Sequence, residues 1–159
     1  MKPSVKSKMH HVGLTVSNLD ASLAFWERFL DTPCRVRAVL DRPYLGTHVG
    51  YPGVEIEIAV LDLPGGNLLE LLEYRIEERA TIGEETANPG HMHICLAVDD
   101  IQEVWRRAMA CGARPVVAEG PVDVDGGPNK GARTSYLRVP PDWSTLELIQ
   151  PAPDSMRGE

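Results

Sequence analysis

The chain has 159 residues, 43% of them apolar and 25% charged, which is enough for one domain with a core and too balanced for a disordered chain. Its formal net charge of −7 removes the basic footprint that nucleic acid or an anionic membrane surface requires. No apolar run approaches the roughly 20 residues that span a bilayer. Lys2, Lys6 and Lys8 are followed by no apolar stretch, and Cys34, Cys95 and Cys111 are odd in number without C-x-x-C spacing. These features predict a reduced, cytoplasmic protein.

In chain order, the first predicted strand is 11–16, His-Val-Gly-Leu-Thr-Val. The turn Ser17 to Asp20 leads into a helix over about 20–30, with Leu23, Trp26, Phe29 and Leu30 at the 3.6 period and Asn18 or Asp20 as N-cap. Residues 54–60 alternate and then turn apolar, as a strand does. Pro64-Gly65-Gly66-Asn67 turns into a strand at 68–72, and the polar stretch 75–90 reads as a linker. A second strand of the first type follows at 93–98, His-Ile-Cys-Leu-Ala-Val. Asp99-Asp100 caps a helix over about 101–111, with Ile101, Val104, Trp105, Ala108 and Met109 on one face and Gly112 just beyond its end. Residues 120–134, rich in Gly and Pro, read as a loop able to cover a site. Strands at 135–139 and 145–149 flank the turn Pro140-Pro141-Asp142, and 151–159 reads as a frayed tail.

The chain therefore repeats itself: His, apolar strand, helix, then Glu on a late strand, twice. The His-to-Glu separations are 59 residues (11 to 70) and 54 residues (93 to 147), a difference of one short insertion. Strand side chains alternate faces, so Val12, Leu14 and Val16 oppose His11, Gly13 and Thr15, while Ile94, Leu96 and Val98 oppose His93, Cys95 and Ala97. Each first strand thus has a bulky face for its helix and a face with one His beside small residues. Glu70 and Glu147 each sit between leucines, where a carboxylate needs a partner or must lose its charge.

A lone strand histidine is ordinarily structural, and a lone glutamate in such a strand is ordinarily an edge residue. Recurrence of both at matching places favours a divalent ion bound by His11, Glu70, His93 and Glu147. That N2O2 set suits Zn, Ni, Co, Mn or Fe and leaves two octahedral positions for water or substrate oxygens. His10, His48 and His91 lack this support and read as solvent-facing groups or as supports to the ligands. The residues allow the modules, about 9–74 and 91–150, to complete one site within a chain or to swap between two chains.

Four pieces, residues 11–19, Leu-Glu-Leu-Leu-Glu at 69–73, residues 91–101 and Leu-Glu-Leu-Ile at 146–149, come in order at these spacings. The chain resembles the vicinal oxygen chelate superfamily, which includes glyoxalase I, methylmalonyl-CoA epimerase, extradiol dioxygenases and the fosfomycin and bleomycin resistance proteins. The resemblance implies an α+β fold of two paired βαβββ modules forming an open, cup-shaped mixed sheet around a metal, and a homodimer. It places the ligands at His11, Glu70, His93 and Glu147, a set that looks like bacterial glyoxalase I. Where many members read Asp-Pro-Asp-Gly, this chain has Pro140-Pro141-Asp142-Trp143, and Arg42 to Gly53 matches no glutathione-binding pattern.

The resulting expectation is a metal-dependent isomerase, epimerase or lyase acting on a small oxygenated acid, thioester or dicarbonyl through a metal-stabilised enolate. Glu147 or Glu70 is the expected base, with Glu55 and Glu57 next if their strand face looks inward. The alternatives are an extradiol-type dioxygenase using Fe(II) or Mn(II), and a non-catalytic antibiotic- or metabolite-binding protein with Tyr44, Tyr51, Trp105, Tyr136 and Trp143 about its pocket.

Overall fold

The alternation of bulky and small side chains on the two His-headed strands leads directly to the architecture. The computed structural model describes residues 8–153; the expectations that fall on residues 1–7 and 154–159 lie outside them. The chain divides into two units, Met1–Arg79 and Ala80–Glu159. The first contains β1 (Val12–Thr15), α1 (Leu19–Leu30), β2 (Val36–Leu40), α2 (Pro43–Val49), β3 (Ile56–Leu63) and β4 (Asn67–Tyr74). The second contains β5 (His93–Ala97), α3 (Ile101–Ala110), β6 (Arg114–Pro115), β7 (Val122–Asp123), β8 (Arg133–Val139) and β9 (Ser144–Gln150).

The sheet orders are β1-β4-β3-β2 and β5-β9-β8-β6, with β7 also on β8. In each, the first strand pairs in parallel with the last, and the other pairs are antiparallel. The class is α+β, a βαβββ unit present twice. No helix among the described residues is long and apolar enough to cross a membrane.

One face of each sheet carries the helix. In the first unit Leu19, Leu23, Phe25, Trp26 and Phe29 are buried together with Ala59, Leu61, Leu69 and Leu71. Full burial of each such side chain stabilises the fold by roughly 1.5–3 kcal/mol. In the second unit Ile101 and Ala108 of α3 are buried with Leu137, Leu146 and Leu148.

Both helices begin on side chains that the sequence places there. The Asn18 side chain accepts from the Ala21 amide at 2.8 Å. Asp100 accepts from the Gln102 and Glu103 amides at 2.9 and 3.0 Å. The last strand of each unit adds a further acceptor: Glu73 takes the Leu19 amide at 2.6 Å, and Gln150 takes the Ile101 amide at 3.0 Å. Glu73 and Gln150 lie three residues after Glu70 and Glu147 respectively, so one strand end positions that glutamate and holds the helix.

Three differences from expectation bear on the face that carries Glu70 and on the candidate residues. Residues 43–49 form α2, too short to show a helical period. Its Leu45 is buried with Val54, Ile56 and Ile58 over the sheet face opposite α1. Gly46 lets the chain return across it, because an added Cβ would stand 2.8–2.9 Å from the backbone of Tyr51, Pro52 and Gly53. Residues 120–134 are not one loop: β7 and β8 pair, and at the hairpin end the Val124 amide donates to the Ala132 carbonyl while the Val124 carbonyl accepts from the Gly131 amide.

The third difference concerns Glu55 and Glu57. Register places Glu57 opposite Glu73 and Val60 opposite Glu70, so the Glu55 and Glu57 face is the helix face, away from Glu70. Glu57 is buried there between Arg37, at 2.6 Å, and Arg75. Arg37 also reaches Asp20 of α1 at 2.7 Å. The Arg37 hydrogen bond, opposed by burial and reinforced by Arg75, holds the Glu57 carboxyl below its ordinary range. Glu57 ties α1 to the sheet and is no candidate base.

Two stability measurements check this reading. Asp100→Ala should cost about 1 kcal/mol through the lost α3 cap, seen as a lower urea midpoint. Glu57→Gln should cost about 2 kcal/mol at pH 7 by leaving two guanidinium groups short of their anion. Because the folded pKa of Glu57 is depressed, its contribution is present above the unfolded carboxylate value of about 4.3. The wild-type advantage should therefore shrink as pH falls below that value and vanish below the folded pKa.

Candidate metal centre

Parallel pairing of first and last strands brings each His to its Glu. In the first unit Gly13 lies opposite Glu70, and His11 is two residues before Gly13 on the same face. In the second Cys95 lies opposite Glu147, and His93 is two residues before Cys95. The offset is the same in both units.

His11 Nε2 stands 3.4 Å from Glu70 Oε2, with side chains 40% and 21% exposed. His93 Nε2 stands 3.0 Å from Glu147 Oε2, with side chains 37% and 19% exposed. Two donors holding one ion at about 2.1 Å in adjacent coordination positions stand about 3 Å apart, so each pair has the spacing a transition ion needs. Among the described residues no group of three or more His, Cys, Asp or Glu side chains gathers about one point, so the contacts are pairs.

The surroundings of the pairs differ. His10 Nδ1 lies 2.8 Å from His11 Nδ1, and the rings meet edge to face at 5.1 Å. With the proton on His11 Nδ1, this contact leaves Nε2 as the donor atom toward Glu70. In the second unit the Thr134 hydroxyl lies 2.9 Å from Glu147 Oε1 and 3.0 Å from the Leu148 carbonyl, which compete for its one proton. Tyr136, opposite Glu147 in register, places its ring 5.2 Å from that of His93. Desolvation first, then the Glu147 charge and hydrogen bond, push the Cys95 thiol up to about 12. Desolvation, then Glu147 and Cys95, also raise the Tyr136 phenol. Both therefore stay neutral beside the carboxylate at physiological pH.

Other expected residues fall elsewhere. His48 is exposed on α2, and the His91 amide donates to Asn88. Tyr44 and Tyr51 are exposed, with Tyr51 against Tyr74 at 5.9 Å. Trp105 is half-buried on α3. Trp143 adopts φ 59°, the left-handed conformation that suits glycine, and the Arg114 guanidinium stacks 3.5 Å over its ring. Trp143 also lines a groove of about 450 Å³ formed by residues 81–85 and 141–143, which includes neither His93 nor Glu147. Sequence reading missed Thr134 as the support of Glu147, and missed Glu73 and Gln150 as helix acceptors.

The fold and the pairs define a protein of duplicated βαβββ modules, each presenting a His–Glu pair on the sheet face opposite α1 or α3. The chain belongs to the glyoxalase/bleomycin resistance protein/dioxygenase superfamily, the vicinal oxygen chelate superfamily, whose model matches residues 10–136. Among curated proteins, none matches it by sequence. Among solved structures it is similar to a glyoxalase family protein from Bacillus cereus, at 22% identity over 94% of this chain and 99% of that one, with a TM-score of 0.76. A glyoxylase/bleomycin resistance protein/dioxygenase domain from Frankia sp. EAN1pec matches at 22% identity over 94% and 95%, with a TM-score of 0.64. Glyoxalase I from Zea mays matches at 21% identity, 91% of this chain against 45% of that one, with a TM-score of 0.64. These likenesses establish the fold.

Proposed function

We propose that His11, Glu70, His93 and Glu147 together hold one divalent ion, and that the protein is a metal-dependent isomerase, epimerase or lyase of a small oxygenated substrate. The observation carrying this reading is the His–Glu pair recurring at one register offset, with donor atoms 3.0–3.4 Å apart. Two imidazoles and two carboxylates suit Zn, Ni, Co, Mn or Fe. Glu70, as a second carboxylate, favours proton-transfer chemistry over the dioxygenase alternative. A cytoplasmic homodimer completes the proposal; three free cysteines accord with a reducing compartment.

When bound, the ion supplies Lewis acidity that stabilises charge developing on a substrate oxygen. The chain's own groups do the rest. Glu147, held at Oε1 by Thr134, takes the proton from the carbon next to the carbonyl, within about 3 Å. Glu147, then carrying that proton, returns it to the adjacent carbon, and Glu70 is the second carboxylate able to act as the base. The neutral Tyr136 phenol can donate to a developing oxyanion without adding negative charge to the site.

Metal analysis tests the centre: the purified protein should bind about one divalent ion per site, and His11→Ala and Glu70→Gln should weaken its uptake. No stoichiometric metal after reconstitution removes the proposal. Deuterium exchange beside the carbonyl of 2-oxo acids and hemithioacetals, followed by proton NMR, tests the chemistry. Glu147→Gln should slow exchange by about 10²–10⁴-fold with an unchanged circular dichroism spectrum. Full exchange in that variant, or oxygen consumption with a catechol, would assign a different reaction.

A further inference from the structure

We propose that Arg138 is the recognition residue for an anionic group, carboxylate or phosphate, carried by the substrate beside its reacting oxygens. The inference rests on the function proposed above and concerns the second unit alone.

Register places Arg138 on the site face. His93 lies opposite Thr145, Thr145 opposite Arg138, and Arg138 opposite Arg114. Paired residues share a face, so these four form one row across the sheet. The next row holds Cys95, Glu147 and Tyr136. The Arg138 backbone is two strands from that of His93, about 10 Å at the usual spacing, and diagonal to Glu147. An arginine side chain brings its guanidinium within reach of a small molecule seated on the His93–Glu147 pair.

The charge of Arg138 is uncompensated. It is half-buried, and one of its terminal nitrogens donates to the hydroxyl of the buried Thr145. That partner is neutral, and among the described residues no carboxylate pairs with Arg138. Arg35, Arg37, Arg75, Arg114 and Arg133 each face one. Arg114, next in the row, is already held by Glu84 at 3.0 Å and by the Trp143 ring. In the first unit the matching place, opposite Leu68, is Asp62, which pairs with Arg35 at 3.0 Å. A guanidinium has five N–H donors in a planar fork, and the Thr145 contact uses one while fixing the plane. The remaining edge suits a bidentate oxyanion, whose charge would offset the cost of a half-buried cation.

Two probes with the same vicinal oxygens separate the subsite from the metal: 2-oxoglutarate carries a distal carboxylate and 2-oxopentanoate carries none. By calorimetry on the zinc-loaded protein, 2-oxoglutarate should bind at least about tenfold more tightly. Arg138→Met should erase that preference without weakening 2-oxopentanoate, and Arg138→Lys should keep part of it. On metal-free protein, inorganic phosphate should shift the Arg138 Nε–H and Thr145 amide resonances in wild type, and in Arg138→Met the Thr145 amide should not move. Equal affinity for the two acids in wild type, a preference that survives in Arg138→Met, or phosphate shifts that do so, overturns the inference and leaves the metal reading standing. A phosphate response lost in Arg138→Met, in a protein that takes up no metal, supports Arg138 and removes the metal reading instead.

Discussion

Parallel pairing of the first strand of each module with its last is the constraint on which the rest depends. It brings together a His and a Glu that lie 59 and 54 positions apart in the chain, and does so in the same register twice. Two residues of offset put His and Glu on one face with their donor atoms 3.4 and 3.0 Å apart. The other face, largely apolar with Ala59, Leu61, Leu69 and Leu71 in the first unit and Leu137, Leu146 and Leu148 in the second, must be covered, and the connecting helix covers it. Its first amide is then met by Glu73 or Gln150 from the end of the last strand. Placement of the His–Glu pair and helix docking are two results of one strand pairing.

Carboxylates on the two faces of the first sheet live by different rules. Glu57 is nearly closed off from water and lies between Arg37 and Arg75, so its charge is answered within the fold. Glu70 is more open and faces an imidazole. The first arrangement is a structural ion pair, stabilising while intact and costly when one partner is removed. The second is a contact with one imidazole and no guanidinium among the described residues. Burial alone would have ranked Glu57 above Glu70 as the unusual residue. The identity of the partners reverses that order.

Much of this was legible in the residues. α1 and α3 carry clear 3.6 periods, and the His-headed strands repeat in order, so the helix-bearing faces and the four His and Glu positions could be placed without coordinates. β2 was not located, because Val36–Leu40 is a half-exposed edge strand with no clean alternation. α2 buries Leu45 and Gly46 alone, too little to imprint a period. The partners of Glu57 lie 20 and 18 residues away in sequence, a distance no local pattern spans. The roles of Thr134 and Arg138 depend on the register between β8 and β9. That register is set by a turn in which Trp143 takes a conformation ordinarily left to glycine, so it could not be counted from residue types.

The hydroxyl of Thr134 has no equal in the first module. Register puts Ile58, opposite Leu72, where the second module has Thr134 opposite Ile149. Glu147 therefore has a neighbour at both oxygens, a hydroxyl and an imidazole, while Glu70 among the described residues meets an imidazole at one. Duplication made the donors alike, and a single side-chain difference made their freedom unlike. A gripped carboxylate keeps its direction, and a loosely held one can turn. The two halves of the repeat have ceased to be interchangeable.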